Sequence, residues 1–117
     1  MIWTEVTVSW KVFFADYCED KILESKDARV AAMEEILHSM DCVLHTPGNF
    51  IGVIDGGGVT LQFMVNDDGT IQIDIPAPRQ RGSYVKTGKL AECLDLLRNI
   101  GSNINVENIA GLAFQPW

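Results

Sequence analysis

One stretch of the sequence comes close to a phosphate-binding loop: GSYVKTGK at 82–89. In such a loop, four residues separate the first glycine from Gly-Lys, and a serine or threonine follows to bind magnesium. Here five residues intervene, and Leu90 follows the lysine. The preceding PAPRQR (76–81) is also unlike the apolar parallel strand that delivers a phosphate loop. The sequence therefore argues against a nucleotide site and predicts a basic loop in which Thr87 caps a following helix.

Two further segments have the composition of ion sites, DGGG at 55–58 and NDDG at 66–69. The first could hold an anion on its backbone N–H groups, but it joins two strand-like runs and is interpreted as a tight turn. Close approach of another backbone would be an additional reason for its three glycines. The second lacks the spacing of an EF-hand and is flanked by strands, so we predict a hairpin turn and not a calcium loop.

The histidines and cysteines form no recognisable catalytic or zinc-binding set. His38 and His45 are seven residues apart, without an HxxxH or HExxH motif. Cys18, Cys42 and Cys93 have no CxxC spacing, which favours free thiols in a reducing cytoplasm. We expect Cys93 to be a buried, inert thiol on a helix. The sequence thus predicts no catalytic residue, no metal ligand, no cofactor and no enzymatic activity.

The elements around these segments follow from hydrophobic periodicity. Residues 2–14 alternate apolar and polar side chains, which predicts a long strand with one covered face. Helical spacing predicts a helix over 26–40, capped by Ser25, and a second one over 88–99. A hairpin is predicted over 59–75. The sequence of this hairpin is VTLQFMVNDDGTIQIDI. A short strand at SYV and a last strand near 109–114 complete the predicted pattern.

These elements predict one domain over 1–117 with an α+β fold. It consists of a two-layer, mostly antiparallel sheet of about five strands with two helices packed on one face, in the order β-α-β-β-β-α-β. No apolar run approaches the roughly 18 residues that span a bilayer, so we expect a cytoplasmic protein without a membrane partner.

Charge is unevenly distributed along the chain. The net charge is −7, and 1–78 hold thirteen acidic against four basic residues, whereas 79–89 hold four basic residues and no acid. An acidic surface repels phosphate backbones, which disfavours direct nucleic-acid binding, and it steers a basic protein toward itself. A solvated surface that only maintains solubility explains the same acids. The residues that we expect at a protein interface are Asp16, Tyr17, Glu19, Asp20, Asp55, Asp67, Asp68, Asp74, Arg79, Arg81 and Trp117.

In length, charge and layout the chain resembles bacterial immunity proteins of polymorphic-toxin and contact-dependent inhibition systems. The helix at 26–40, the hairpin VTLQFMVNDDGTIQIDI, and KLAECLDLLRNIG followed by a last strand and Trp117 carry the resemblance. It implies a cytoplasmic protein that neutralises a cognate toxin domain, often a basic nuclease, by occluding its active site or substrate-binding surface.

Two other functions stay open at this point. A small-ligand-binding domain or enzyme would use a site near the basic segment 79–89, flanked by Arg79, Arg81 and Lys86. A homo-oligomeric structural protein would use the outward side chains of Trp3 and Phe13 on the first strand.

Overall fold

The computed structural model describes residues 10–117 and shows an α+β fold with an open antiparallel sheet. The strands are β1 (Trp10–Asp16), β2 (Lys21–Leu23), β3 (Arg29–Ala31), β4 (Phe50–Ile54), β5 (Thr60–Val65), β6 (Ile71–Ala77), β7 (Gly82–Gly88) and β8 (Ala113–Pro116). The helices are α1 (Met33–Val43) and α2 (Leu90–Arg98). None of the helices within 10–117 is long and apolar enough to cross a membrane.

The spatial order of the sheet is β2-β1-β4-β5-β6-β7-β8, and β3 also pairs with β1. β2 pairs with the end of β1 and β3 with its beginning, while β4 pairs along the middle of β1. The described residues therefore contain eight strands, where the sequence predicted about five. The strands beyond the predicted five are the two short pieces along the edge of β1 and the long strand β7, which contains the short strand expected at SYV.

The first predicted helix is displaced in the structure. Residues 29–31, expected to be helical, form β3, and α1 begins only after Ala32. The Ala32 backbone N–H donates to Glu35 Oε1 at 3.4 Å, so the glutamate and not Ser25 caps this helix. Pairing with β1 satisfies the backbone of 29–31, and Val30 stays 66% exposed instead of facing the core.

Most of the predicted basic loop is a strand, because the short strand expected at SYV extends over 82–88 as β7. β7 pairs with β6 over its whole length and with β8 over 82–85, and Thr87 lies within β7 and caps no helix. Lys89 occupies the N-cap position of α2, without a side-chain capping bond. The last strand also begins later than predicted, at Ala113. The hairpin of β5 and β6 is confirmed, with the turn at 66–69 between them.

A single apolar core lies between the helices and one face of the sheet. Ile36 and Met40 of α1 and Cys93 and Leu97 of α2 are almost fully buried there. Alternate residues of the strands complete this core, namely Trp10, Val12, Ile51, Val53, Leu61, Phe63, Val65, Ile71, Ile73 and Ile75. Both helices thus cover the same face, as predicted, and the opposite face carries the other alternate residues.

Candidate functional site

The face of the sheet opposite the helices, here called the open face, carries a row of cross-strand neighbours. Phe13 lies opposite Gly52, which lies opposite Gln62, then Asp74, then Val85. A second row, one step along the strands, places Phe50 opposite Met64 and Met64 opposite Gln72. Directly opposed side chains in antiparallel strands are close enough to form one surface.

Phe13 is buried on the open face because Gly52 has no side chain. A Cβ atom on Gly52 would lie 2.0 to 2.6 Å from atoms of the Phe13 ring, so the ring occupies the space above the glycine. Phe13 also makes an edge contact with Phe50, with ring centroids 6.5 Å apart. With an exposed fraction of 5%, Phe13 does not provide the outward contact expected of a homo-oligomer. Trp3, the other residue of that expectation, lies outside the described residues.

Two adjoining cavities form a groove on the open face beside these rings. Its wider part, about 570 Å³, is lined by residues of β1, β2, β4 and β5, among them Phe13, Ile22 and Phe50. Its narrower part, about 200 Å³, lies between β4, β5 and β6. The two parts share Phe50 and Gln62, and together they are called the sheet groove. The lining residues of the narrower part are Phe50, Gln62, Met64, Gln72 and Asp74.

Asp74 is the charged residue that lines the narrower part. Its Oδ1 is shielded from water and has no hydrogen-bond partner within residues 10–117. Burial raises the pKa of Asp74, and a hydrogen bond with Ser83 opposes that rise. The Ser83 hydroxyl accepts a hydrogen bond from Trp117 Nε1 at 3.0 Å, which links the last residue of the chain to this site.

Two of the predicted interface acids, Asp16 and Asp55, are buried and hydrogen-bonded inside the protein. Asp16 Oδ1 accepts bonds from the backbone N–H of Cys18 (3.1 Å) and Glu19 (3.2 Å) and from Asn49 Nδ2 (2.9 Å). These bonds fix the turn between β1 and β2. The Asp16 carboxylate therefore stabilises the fold and is not available at the surface for a partner.

Asp55 has an equivalent role at the other end of the sheet. Its Oδ1 accepts from the N–H of Gly57 at 3.0 Å and of Val59 at 2.9 Å. Its Oδ2 accepts from the N–H of Ile104 at 2.8 Å, which attaches the segment after α2 to the β4–β5 turn. The DGGG segment is therefore a turn, as predicted, organised around its own aspartate.

Close approach of another backbone does not explain the glycines of this turn. A Cβ atom on Gly56 or Gly58 would meet nothing within 4 Å, and on Gly57 it would meet only Asp55. Gly58 alone has a positive φ, of 87°. Gly58 is therefore the one of these three glycines whose backbone conformation favours glycine.

The other predicted acids are exposed at one end of the sheet. Glu19 and Asp20 follow β1 beside Tyr17, and Asp67 and Asp68 occupy the β5–β6 turn. Adjacent antiparallel strands bring both turns to the same end, here called the acidic end. Hydrogen bonds from Thr70, both from its hydroxyl and from its backbone N–H, lower the pKa of Asp68.

The basic residues of 79–89 are not gathered around one pocket. Arg79 and Arg81 are exposed at the end of the sheet opposite the acidic end, where Trp117 N–H donates to Arg81 O at 2.8 Å. Arg79 lines an open cavity of about 680 Å³ with the DGGG turn. Lys86 lies elsewhere, with its Nζ donating to Ala110 O at 2.8 Å. The structure therefore separates Lys86 from the two arginines.

The histidines and cysteines are placed as follows. His38 Nε2 lies 3.7 Å from Cys42 Sγ on the surface of α1, and His45 Nε2 contacts Asp41 O. Burial, with a smaller contribution from Glu92, raises the pKa of Cys93 to about 12, so its thiol stays protonated. Within 10–117, no group of three or more His, Cys, Asp and Glu side chains is arranged to hold a metal ion.

Comparison with protein-family models, curated proteins and solved structures finds no match to this chain. The function is therefore argued from the site alone. Sequence reasoning named Asp74 but missed Phe50, Gln62, Met64 and Gln72, which line the cavity with it. Alternation places each of these residues on the outer face of its own strand, but only the cross-strand register brings them together.

Proposed function

We propose that this protein is an immunity protein that binds a toxin domain through the sheet groove and acts in the cytoplasm. The observation that carries the proposal is a groove on the sheet face opposite the helices, lined by Asp74, whose Oδ1 has no hydrogen-bond partner within 10–117. The acidic end and the net charge of −7 favour a basic partner.

The apolar part of the groove supports a protein partner. Ile22 is 58% exposed and Met64 is 42% exposed, on either side of the half-buried ring of Phe50. Exposed apolar side chains that line one concave surface are typical of interaction sites, whereas scattered ones need no explanation. Met and aromatic side chains are also enriched at protein interfaces.

The exposed acidic residues and the groove have different roles in binding. Glu19, Asp20, Asp67 and Asp68 are exposed at the acidic end, where they attract a basic domain over a distance and raise the association rate. The groove then supplies the contacts that determine how long the complex lasts. Inhibition follows by occlusion, because a bound protein of this size covers the active site or the substrate-binding surface of a toxin domain.

The decisive experiment combines the purified protein with the toxin domain encoded by the neighbouring gene. We expect a one-to-one complex by calorimetry, loss of toxin activity at equimolar ratio, and an association rate that falls as salt rises. A neighbouring gene product that neither binds nor is inhibited would overturn the proposal.

Two exposed residues of the edge strands form a matched pair for this experiment. Ile22 of β2 lines the sheet groove, whereas Val30 of β3 lies on the same face outside it. We expect Ile22→Ser to weaken the complex about tenfold or more and Val30→Ser to change it less than about twofold. Equal effects of the two substitutions would place the interface elsewhere.

A further inference from the structure

The narrower part of the sheet groove, here called the Asp74 cavity, has the size of a socket for one side chain. Its volume is about 200 Å³. Pockets for small molecules and cofactors span roughly 300 to 1,000 Å³. The Asp74 cavity taken alone is therefore smaller than a typical metabolite pocket and suits a single projecting side chain.

The polar groups of the cavity require a hydrogen-bond donor. Asp74 Oδ1 is already withdrawn from water and has no partner within 10–117. A donor that reaches this oxygen gains a charge-assisted hydrogen bond without removing water from it. Gln62 lies opposite Asp74 on the neighbouring strand β5, and Gln72 lies two residues before Asp74 on β6. Their side-chain carbonyls are additional acceptors in the lining of the cavity.

The walls of the cavity select among donors. The Phe50 ring and the Met64 thioether, cross-strand neighbours, offer apolar surface beside the carboxylate. A guanidinium is planar, is weakly hydrated and stacks on aromatic rings, and it donates five N–H groups in a fixed fork. An ammonium is compact and strongly hydrated, which makes this apolar setting less favourable for lysine.

We propose that the Asp74 cavity receives an arginine side chain of the partner protein. The guanidinium pairs with the Asp74 carboxylate, and the aliphatic stem lies against Met64, while the flexible side chains of Gln62 and Gln72 rotate to admit it. The inference rests on the proposed function in one respect, namely that a protein presents the arginine. The salt bridges within 10–117 are Lys26–Glu24 and Arg98–Asp95, so neither uses Asp74.

The chemistry of the cavity can be tested with a small probe and without the partner. We expect N-acetyl-arginine-methylamide to shift the NMR signals of the Met64 methyl group and the Gln62 and Gln72 amides, saturating at about 1 to 10 mM. The matched probe is the same amide of citrulline, which has nearly the same shape and no charge. We expect the citrulline amide to bind the natural protein at least tenfold more weakly than the arginine amide does. We expect the same loss when the arginine amide is titrated into Asp74→Asn. Equal binding of both probes, or no binding of either, would overturn the inference.

The second test uses the complex. We expect Asp74→Asn to weaken binding of the toxin domain about 30-fold or more, chiefly through faster dissociation. Asp95→Asn removes the same charge from the exposed helix side and should change affinity less than about twofold. A complex that forms but tolerates Asp74→Asn overturns the arginine socket and leaves the proposed function intact. Arginine binding without a toxin complex overturns the proposed function only.

A second copy of this chain is the other possible source of the arginine, through Arg79 or Arg81. Sedimentation of the natural protein and of Asp74→Asn at micromolar concentration separates the two sources, because self-association through the Asp74 cavity would depend on this carboxylate. A dimer that Asp74→Asn dissociates would overturn the assignment to a partner protein.

Discussion

The two faces of the sheet differ at neighbouring positions of the same strands. In β5, Phe63 faces the helices with no exposed surface, and the next residue, Met64, is 42% exposed on the open face. In β6, Ile73 is fully buried under the helices, whereas Asp74 lies in a groove with an unpaired oxygen. Burial explains the residues of the covered face. It does not explain the exposed residues of the open face such as Met64.

The difference teaches which residues serve stability and which are available for binding. A buried oxygen without a hydrogen bond costs free energy, and Asp74 Oδ1 has no hydrogen-bond partner within the described part of the chain. At Asp55, by contrast, three backbone N–H groups bind the carboxylate. The two acids were equivalent candidates in the sequence, and the structure makes one a structural group and the other the centre of a groove.

The largest effect is expected from substitution of the neighbours Phe63 and Met64. Phe63→Ala removes a fully buried ring from the core and should lower the free energy of unfolding by about 3 to 5 kcal/mol. Met64→Ala should lower it by less than about 1 kcal/mol, because its side chain is partly exposed on the open face. Denaturant unfolding monitored by circular dichroism measures both. Similar losses for the two variants would mean that the open face is packed as tightly as the covered one.

An intermediate effect is expected at Asp55. Asp55→Ala leaves the backbone N–H groups of Gly57, Val59 and Ile104 without their acceptor and should lower the free energy of unfolding by about 2 to 4 kcal/mol. The same substitution at exposed Asp67 should change it by no more than about 0.5 kcal/mol. Hydrogen exchange adds a local measurement, since the amide of Ile104 should lose protection. Retained protection there would show that the Asp55 bond does not hold this segment.

The smallest effect, and the opposite sign, is expected at Asp74. Because burial raises its folded pKa above the ordinary value of 3.8, the folded state holds more protons than the unfolded state in the window between the two values. The free energy of unfolding therefore falls as pH rises through that window. Asp74→Asn lacks this slope and should be more stable than the natural protein at pH 7, by less than about 1 kcal/mol because solvent screens a residue that is still partly exposed.

Denaturant titrations from pH 3 to pH 7 measure this difference, which should shrink toward the acid end as both states of Asp74 become protonated. A gain in stability together with weaker partner binding would identify Asp74 as a residue kept for function. A loss of stability at pH 7 would show that the carboxylate stabilises the fold, as Asp55 does.

The sequence predicted the parts of this fold that depend on local periodicity. Alternation in VTLQFMV and TIQIDI placed Phe63 and Ile73 on one face and Met64 and Asp74 on the other, and the structure confirms the hairpin. Helical spacing found the buried faces of both helices, including Cys93. The start of α1 was wrong by several residues, because 29–31 pair with β1 and this pairing overrides local helix propensity.

The candidate site could be predicted only in part. Asp74 was named from its charge, but its charge alone did not distinguish it from Asp16 or Asp55. Each of those two acids has one hydrogen-bond partner far along the chain, 33 and 49 residues away, besides its local ones. Phe13 was expected to point outward, and its burial depends on a glycine in the neighbouring strand. Contacts of this kind depend on strand register, which a single stretch of sequence does not specify.

By itself, the sequence determined which residues share a face of each strand and helix, where the hairpin turns, and that the chain is acidic. These properties follow from side-chain periodicity and charge, which act within a few residues. Only the tertiary structure decided that the strand expected at SYV extends over 82–88, that Gly52 admits the Phe13 ring, and that Asp74 Oδ1 has no hydrogen-bond partner within 10–117. Each of these depends on which strands become neighbours, and hydrogen bonding between segments distant in the chain determines that.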